Sequence, residues 1–130
     1  RMSTDTLAEA HDALYDALNV MLTGDPGPIQ DVWSRHDDVT DAGPFGGFVT
    51  GRTAVADEFA RQAALRLGGR IDVTDVIMGE GSDLGYTFCI EHGIAHLIEG
   101  QTVDLTHRAT NIFRREPQGW QLVHHHTDHA

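Results

Sequence analysis

The chain has 130 residues, of which 40% are hydrophobic and 22% charged, a size and composition typical of one globular domain. Its 9 Lys and Arg and 20 Asp and Glu residues give a formal net charge of −11, which argues against nucleic acids and anionic membranes as partners. The single cysteine, Cys89, excludes an internal disulfide bond and a cysteine-based zinc site, so we expect a reducing, cytoplasmic location.

We predict one domain over residues 1–130, with residues 1–5 disordered and Arg1, which precedes Met2, a remnant of expression. A first helix is predicted over residues 6–23. Its start fits a capping box, in which the side chains of Thr6 and Glu9 each bond the backbone N–H group of the other. The helix carries one apolar stripe, whose members recur at spacings of four and three: Leu7, His11, Leu14, Leu18 and Met21.

Gly24 ends this helix, and a short helix through Ile29, Val32 and Trp33 is predicted next. The segment from Ser34 to Gly51 is rich in glycine, which predicts two short strands around a turn. A second long helix is predicted over residues 52–67, where apolar residues recur four apart. Gly68-Gly69 then stops this helix.

From Arg70 onward the hydrophobic period changes to two, which predicts four consecutive antiparallel strands. Their turns lie at residues 79–82, 99–101 and 116–119. The order α-α-β-β-α-β-β-β-β predicts an α+β fold with the helices on one face of the sheet. Two long helices are too few to cover a flat, six-stranded sheet, so we expect the sheet to bend around them and to leave a pocket at the open end.

Two stretches of the sequence carry a resemblance to a known family. V-T-D-A-G-P-F-G-G-F-V-T-G-R-T-A-V follows the short helix, and R-A-T-N-I-F-R-R-E-P-Q-G-W-Q-L-V-H-H-H closes the chain. With the element order, they make the chain resemble the SnoaL-like (polyketide-cyclase-like) and ketosteroid-isomerase-like proteins of the nuclear transport factor 2-like superfamily, from about Leu7 to Asp128. The resemblance implies a cone-shaped, mixed but mostly antiparallel sheet wrapped over the helices, and a homodimer formed through the outer sheet face.

The resemblance also implies a general base. In ketosteroid isomerases an Asp in a V-x-D context follows the short helix, and Val39-Thr40-Asp41 matches that context. The isomerases further use a Tyr of the first helix and a protonated acid of the penultimate strand as an oxyanion hole. These two positions fall near Ala17 and Thr110, so both donors are predicted to be absent and classical ketosteroid isomerase activity is not expected. The alternative role for Asp41 is to cap the adjacent turn.

The last strand supplies two further candidates. Because alternate side chains of a strand share a face, His124 and His126 are predicted to point inward with Trp120 and Leu122, and His125 to point outward. An inward histidine suits acid–base chemistry near neutral pH. We therefore predict Asp41, His124 and His126 as catalytic residues. Hydrogen-bonded structural histidines are the alternative.

The neighbouring strand is predicted to add a polar pair to the pocket. Arg108 and Thr110 are predicted to point inward, and His107 outward. Glu91 is the expected partner of Arg108, because an isolated buried charge is very costly. A structural Arg–Glu bridge in the pocket wall is the alternative to ligand recognition by these residues.

Aromatic side chains are predicted to form the apolar wall, so Trp33, Phe45 and Phe59 join Glu91, Arg108 and Thr110 as substrate-binding residues. A two-His-one-carboxylate metal site is a further alternative, drawn from His36, Asp41, Glu91, His124 and His126. These residues form no compact motif, so no metal and no other cofactor is predicted.

These residues predict an acid–base enzyme that acts on an apolar or cyclic, carbonyl-containing small molecule. Isomerisation, aldol-type cyclisation, dehydration and epoxide hydrolysis are the reaction classes open to them. A ligand-binding module without chemistry is one alternative, favoured by the missing oxyanion donors. A structural dimer with a vestigial pocket is the other.

Overall fold

The computed structural model describes residues 3–130, which form three helices and six strands. The helices are α1 (Leu7–Met21), α2 (Gly27–Val32) and α3 (Arg52–Ala64). The strands are β1 (Thr40–Ala42), β2 (Val49–Thr50), β3 (Arg70–Glu80), β4 (Leu84–Ile98), β5 (Gln101–Glu116) and β6 (Gly119–His129). The predicted order of elements is confirmed.

All six strands belong to one curved, open sheet with the order β2-β1-β6-β5-β4-β3. β1 pairs in parallel with β6, and the other pairings between these six strands are antiparallel, so the sheet is mixed, as predicted. The long strands β3 to β6 form a meander that the chain builds last. The short strands β1 and β2 join its β6 edge and bring the segment after α2 beside the C-terminus.

Helix α1 forms as its sequence predicts. The Thr6 hydroxyl accepts from the Glu9 amide at 3.1 Å, and the Glu9 carboxylate accepts from the Thr6 amide at 3.0 Å. These two bonds satisfy N–H groups that a helix start leaves without partners. The predicted stripe, including His11, is buried against the concave face of the sheet.

The core fills the space between the helices and the sheet. Its largest fully buried side chains are Trp33, Trp120, Phe113, Leu14, Ile29 and Leu122. Register shifts interrupt the ladders of β3–β4, β4–β5 and β5–β6, and such bulges increase local bending and twist. The sheet thus curves over the helices, as its small number of covering helices predicted.

The N-terminal segment lies beside the last hairpin. The Thr4 carbonyl accepts a hydrogen bond from the Trp120 amide at 2.9 Å. Disorder of residues 1–5 stays a prediction, since Arg1 and Met2 lie outside the described residues. No helix within residues 3–130 has the length and apolar character needed to span a membrane.

Candidate functional site

The face of each C-terminal histidine depends on one bulge between β5 and β6. The pairing runs from Glu116↔Gly119 to Phe113↔Leu122 and resumes at Ile112↔His124, so Val123 is an extra residue in β6. Leu122 and Val123 are both buried. An extra residue reverses the alternation that follows it.

The predicted orientation of the three histidines is therefore wrong. His125 lines the concave face and is buried, whereas His124 and His126 lie on the convex face. The alternation was correct for Trp120 and Leu122, which are core residues. It failed only beyond Val123, because nothing in the local sequence marks the bulge.

Arg108 and Thr110 also lie on the convex face, contrary to the prediction. The pair Phe113↔Leu122 places the odd-numbered residues of β5 on the core side, so the even-numbered residues face away. Arg108 binds Asp128 through two hydrogen bonds of 2.8 and 2.7 Å rather than Glu91. With Phe88 and His126, these residues line only a shallow hollow of about 190 Å³.

The concave side holds a larger cavity of about 380 Å³. That volume lies within the range of small-molecule pockets. Its walls are mostly apolar, with contributions from α1, α3, the loop between β1 and β2, and the strands. The apolar lining includes Leu18, Met21, Leu22, Phe59, Ile71 and Leu105. The polar groups on its wall include Asp41, Glu91, His107 and His125.

These four polar residues form two cross-strand pairs. Asp41 of β1 is the register partner of His125 of β6, and Glu91 of β4 is the partner of His107 of β5. Directly opposed residues on one face of a sheet have adjacent side chains. The fold therefore places two carboxyl–imidazole pairs on one apolar wall.

Asp41 is the carboxyl group of the first pair. Its side chain is buried, and its Oδ1 atom has no hydrogen-bond partner among residues 3–130. Burial, and secondarily the carboxylates of Glu58 and Glu91, raise the pKa of Asp41 from 3.8 to about 7. The Oδ1 atom accepts no hydrogen bond from the adjacent turn, so it does not act as the turn cap that was the alternative role for Asp41.

Glu91 is held by Tyr15, whose hydroxyl donates to Glu91 Oε2 at 2.8 Å. Burial raises the pKa of Glu91 to about 7, although the Tyr15 bond acts in the opposite direction. The other oxygen, Oε1, lies 4.0 Å from His107 Nδ1. Because Oε2 already accepts from Tyr15, a proton on Glu91 would sit on Oε1 and could be donated to a ligand.

The two histidines of the site are poor cations. Burial lowers the pKa of His125 to about 4, and burial followed by His129 and His96 lowers the pKa of His107. His125 Nδ1 lies 2.5 Å from Asn111 Oδ1. His107 Nε2 is buried and has no hydrogen-bond partner among the described residues. Neutral imidazoles can both accept and donate hydrogen bonds at the cavity wall.

The predicted aromatic wall divides into three locations. Phe59 is buried and lines the cavity, and Phe45 lines its mouth, with 78% of its surface exposed. Phe45 contacts His107 and His129 edge-on, with ring centroids 6.3 and 5.9 Å apart. Trp33 is a fully buried core residue that packs on Phe59, and it is absent from the cavity lining.

The alternative metal site is not assembled in the structure. Asp41 and Glu91 face the concave side, whereas His124 and His126 face the convex side. Within residues 3–130, no three His, Cys, Asp or Glu side chains are placed to hold a metal ion.

Sequence reasoning missed His107, His125, Asn111 and Tyr15. A signal for His107 was available, since the turn after β5 pairs Phe113 with Leu122 and so directs odd-numbered residues inward. Tyr15 lies beside the predicted apolar stripe of α1 rather than on it, so the helical spacing did not predict its burial. The inward orientation of His125 could be predicted only from the bulge at Val123.

Comparison with known proteins supports the fold and the family. The profile of the SnoaL-like domain matches residues 8–127. A search of functionally curated proteins found no significant match.

Three solved structures illustrate the likeness. A Thiobacillus denitrificans protein, provisionally named a calcium/calmodulin-dependent protein kinase type II association domain, is 25% identical, with a TM-score of 0.84 over 100% of this chain and 99% of that chain. A Streptomyces avermitilis protein of the nuclear transport factor 2-like family, provisionally named a dehydratase, is 26% identical. Its TM-score is 0.82 over 95% of this chain and 93% of that chain.

The third is a ketosteroid isomerase-like protein from Erwinia carotovora atroseptica, which is 16% identical. Its TM-score is 0.74 over 94% of this chain and 92% of that chain, and at this identity the likeness shows the fold alone. The family match covers nearly the whole domain, and the sheet, helices and cavity described above fit it. The chain therefore belongs to the SnoaL-like family of the nuclear transport factor 2-like superfamily, as the resemblance predicted.

Proposed function

We propose that the protein is an acid–base enzyme acting on an apolar, carbonyl-containing small molecule in the concave cavity. Asp41 removes a proton from the carbon next to the carbonyl group. Protonated Glu91 donates a hydrogen bond from Oε1 to the carbonyl oxygen, where negative charge develops. The observation that carries this proposal is the buried, unpartnered Oδ1 atom of Asp41 on the wall of an apolar cavity.

The electrostatics of the cavity support these roles. Both carboxyl groups have a pKa of about 7, raised chiefly by burial. At neutral pH each carboxyl group therefore exists in both protonation forms, and the state with Asp41 ionised and Glu91 protonated provides one base and one acid. Tyr15 assigns the roles, because its bond to Oε2 directs the proton of Glu91 toward the ligand.

The cavity also restricts the substrate class. Apolar side chains dominate the lining, among them Leu18, Met21, Phe59, Ile71 and Leu105, which favours a cyclic or otherwise compact apolar molecule. Two carboxyl groups disfavour an anionic ligand. Isomerisation, aldol-type cyclisation and dehydration each begin with proton removal beside a carbonyl group. The dehydratase name of the Streptomyces avermitilis protein supports the last of these.

Proton exchange provides a direct test that does not require the natural substrate. The probe is 2-tetralone, an apolar bicyclic ketone, dissolved in deuterated buffer with the protein. We expect the protein to accelerate exchange of the protons beside the carbonyl group, and Asp41→Asn to reduce that rate by about 10² to 10⁴. Proton NMR of the ketone measures the rate.

Asp128→Asn is the matched control, since it removes a carboxylate from the convex face, and we expect it to leave the exchange rate unchanged. Binding of 2-tetralone without accelerated exchange would contradict the catalytic proposal. It would favour a ligand-binding module without chemistry. That second function has its own support in Phe45 and Phe48, which expose 78% and 72% of their surface at the cavity mouth.

We also propose a cytoplasmic homodimer. Cys89 is a free, buried thiol, consistent with a reducing compartment. The convex face exposes large apolar side chains, including Ile77, Leu84 and Tyr86 at 55%, 53% and 45%. A second copy of the chain would cover them.

Light scattering after size-exclusion chromatography tests the dimer. We expect twice the monomer mass of 14.2 kDa for the unaltered protein. Tyr86→Glu is expected to shift the population toward monomer, because it places a charge within the proposed apolar interface. A monomer at all concentrations would contradict the dimer.

A further inference from the structure

A chain of buried hydrogen bonds connects the two sides of the cavity wall through Asn111. This residue is fully buried on β5, the strand between His125 and Glu91. Its Oδ1 atom faces His125 Nδ1 at 2.5 Å. Its Nδ2 atom donates to the Tyr15 hydroxyl at 3.1 Å and to Thr87 Oγ1 at 3.2 Å. Tyr15 then donates to Glu91.

The donors and acceptors of this chain fix the orientation of the Asn111 amide. Tyr15 has one hydroxyl proton, which it donates in the hydrogen bond to Glu91 Oε2. The Tyr15 oxygen accepts from Asn111 Nδ2 and from the Cys89 thiol, which lies 3.2 Å away. In the reversed orientation, Asn111 Oδ1 would compete for the Tyr15 proton and leave Glu91 Oε2 without its donor. An amide orientation is assigned by such a network.

With Oδ1 directed at His125, the facing nitrogen of the imidazole must carry the proton. A neutral imidazole with a proton on Nδ1 has a lone pair on Nε2. No described residue forms a hydrogen bond with His125 Nε2, and the ring lies on the cavity wall. Burial favours this neutral form, as the lowered pKa of His125 also indicates.

We propose that Asn111 is a positioning residue that holds His125 in the Nδ1-protonated tautomer, so that His125 Nε2 accepts a hydrogen bond from a hydroxyl group of the ligand. The substrate class is thereby narrowed to apolar carbonyl compounds that also carry a hydroxyl group. The carbonyl part of this statement rests on the proposed function. The hydroxyl part rests on the hydrogen-bond network alone.

Asp41 is the competing acceptor for the same hydroxyl group, because it is the register partner of His125 and its Oδ1 atom is also unpartnered. Two measurements distinguish His125 from Asp41 as the acceptor. The first determines the tautomer of His125, and the second compares the binding of two matched ligands.

Nitrogen-15 NMR of the histidine side chains in the unaltered protein tests the tautomer near neutral pH. We expect His125 to be neutral with its proton on Nδ1. Asn111→Ala is expected to release the constraint and give a mixture with the Nε2-protonated form, whereas Asn111→Asp keeps an acceptor opposite Nδ1 and retains the tautomer. A proton on Nε2 in the unaltered protein would overturn the proposal, whatever the variants do.

The ligand pair is 2-naphthol and 2-methoxynaphthalene, which differ in having a hydroxyl proton to donate. Isothermal titration is expected to show about tenfold tighter binding of 2-naphthol. His125→Phe should abolish this preference, and His124→Phe, on the convex face, should leave it unchanged. Equal binding of the two probes, failure of both to bind, or a preference that survives in His125→Phe would each overturn the ligand assignment.

These results are independent of turnover. If the protein accelerates exchange of 2-tetralone but His125 carries its proton on Nε2, the proposed function stands and this inference fails. If His125 has the expected tautomer and selects 2-naphthol without any exchange of 2-tetralone, this inference stands for a binding site and the catalytic proposal fails.

Discussion

The two faces of the β5–β6 hairpin carry similar residue types in different chemical states. On the concave face, Asn111 and His125 are buried and His107 is half-buried beside the cavity, and burial lowers the pKa of both histidines. On the convex face, Arg108 and Asp128 form an exposed ion pair that solvent screens. The difference shows that burial and the hydrogen-bond network, rather than position along the two strands, determine the charge state of these side chains.

The largest expected contrast between the faces is in the pH dependence of stability. The folded-state pKa of Asp41, about 7, lies above its ordinary value of 3.8, so the native state binds more protons than the unfolded state between these values. The free energy of unfolding of the unaltered protein therefore falls as pH rises through this window. Asp41→Asn removes this titration, so its free energy of unfolding relative to that of the unaltered protein should rise by about 4 kcal/mol across the window.

Urea denaturation of the unaltered protein and of Asp41→Asn at a series of pH values measures this difference. Asp128→Asn is the convex counterpart and should show the opposite sign. Arg108 lowers the pKa of Asp128, so its ionised form favours the native state at neutral pH and the contribution disappears as the pH falls. Parallel pH profiles for Asp41→Asn and the unaltered protein would contradict the burial argument.

A smaller contrast is expected from adjacent residues of β5. Asn111→Ala removes the partner of His125, Tyr15 and Thr87, and buried polar groups without partners are costly. We expect it to lower the free energy of unfolding by about 3 kcal/mol. Thr110→Ala, on the exposed face, should change it by less than about 0.5 kcal/mol.

Chemical denaturation at neutral pH compares the two variants. Similar losses from Asn111→Ala and Thr110→Ala would show that the network contributes little to folding. Burial of the cavity side chains would then account for the difference between the two faces.

The smallest effect is expected from the convex ion pair itself. Arg108→Ala removes two hydrogen bonds to Asp128, but both side chains are about half exposed, at 57% and 49%. Exposed pairs of this kind contribute little to stability. The unfolding midpoint and the 2-tetralone exchange rate should both remain within experimental error. A clear loss of exchange would mean that Arg108 takes part in the reaction, as an inward orientation of its side chain would require.

Much of the fold follows from local sequence. The Thr6–Glu9 capping box and the four-three spacing of the α1 stripe determine where that helix begins and which face it buries. The change to period two at Arg70 determines the meander, because apolar alternation is meaningful only for a half-buried strand. The V-x-D context predicts Asp41 as a site residue, and its burial and unpartnered Oδ1 atom agree with the role proposed for it.

The polar wall of the cavity was decided by tertiary structure. Alternation assigns faces only while strand register is unbroken, and the extra residue at Val123 reverses the faces of His124, His125 and His126. A bulge leaves no clear local signal, because its position depends on how the partner strand packs. The bonds of Asn111 to His125 and Tyr15 join residues 14 and 96 positions apart. The sequence determined which side chains the chain carries and where its elements begin, and packing of the sheet on α1 decided which of those side chains meet.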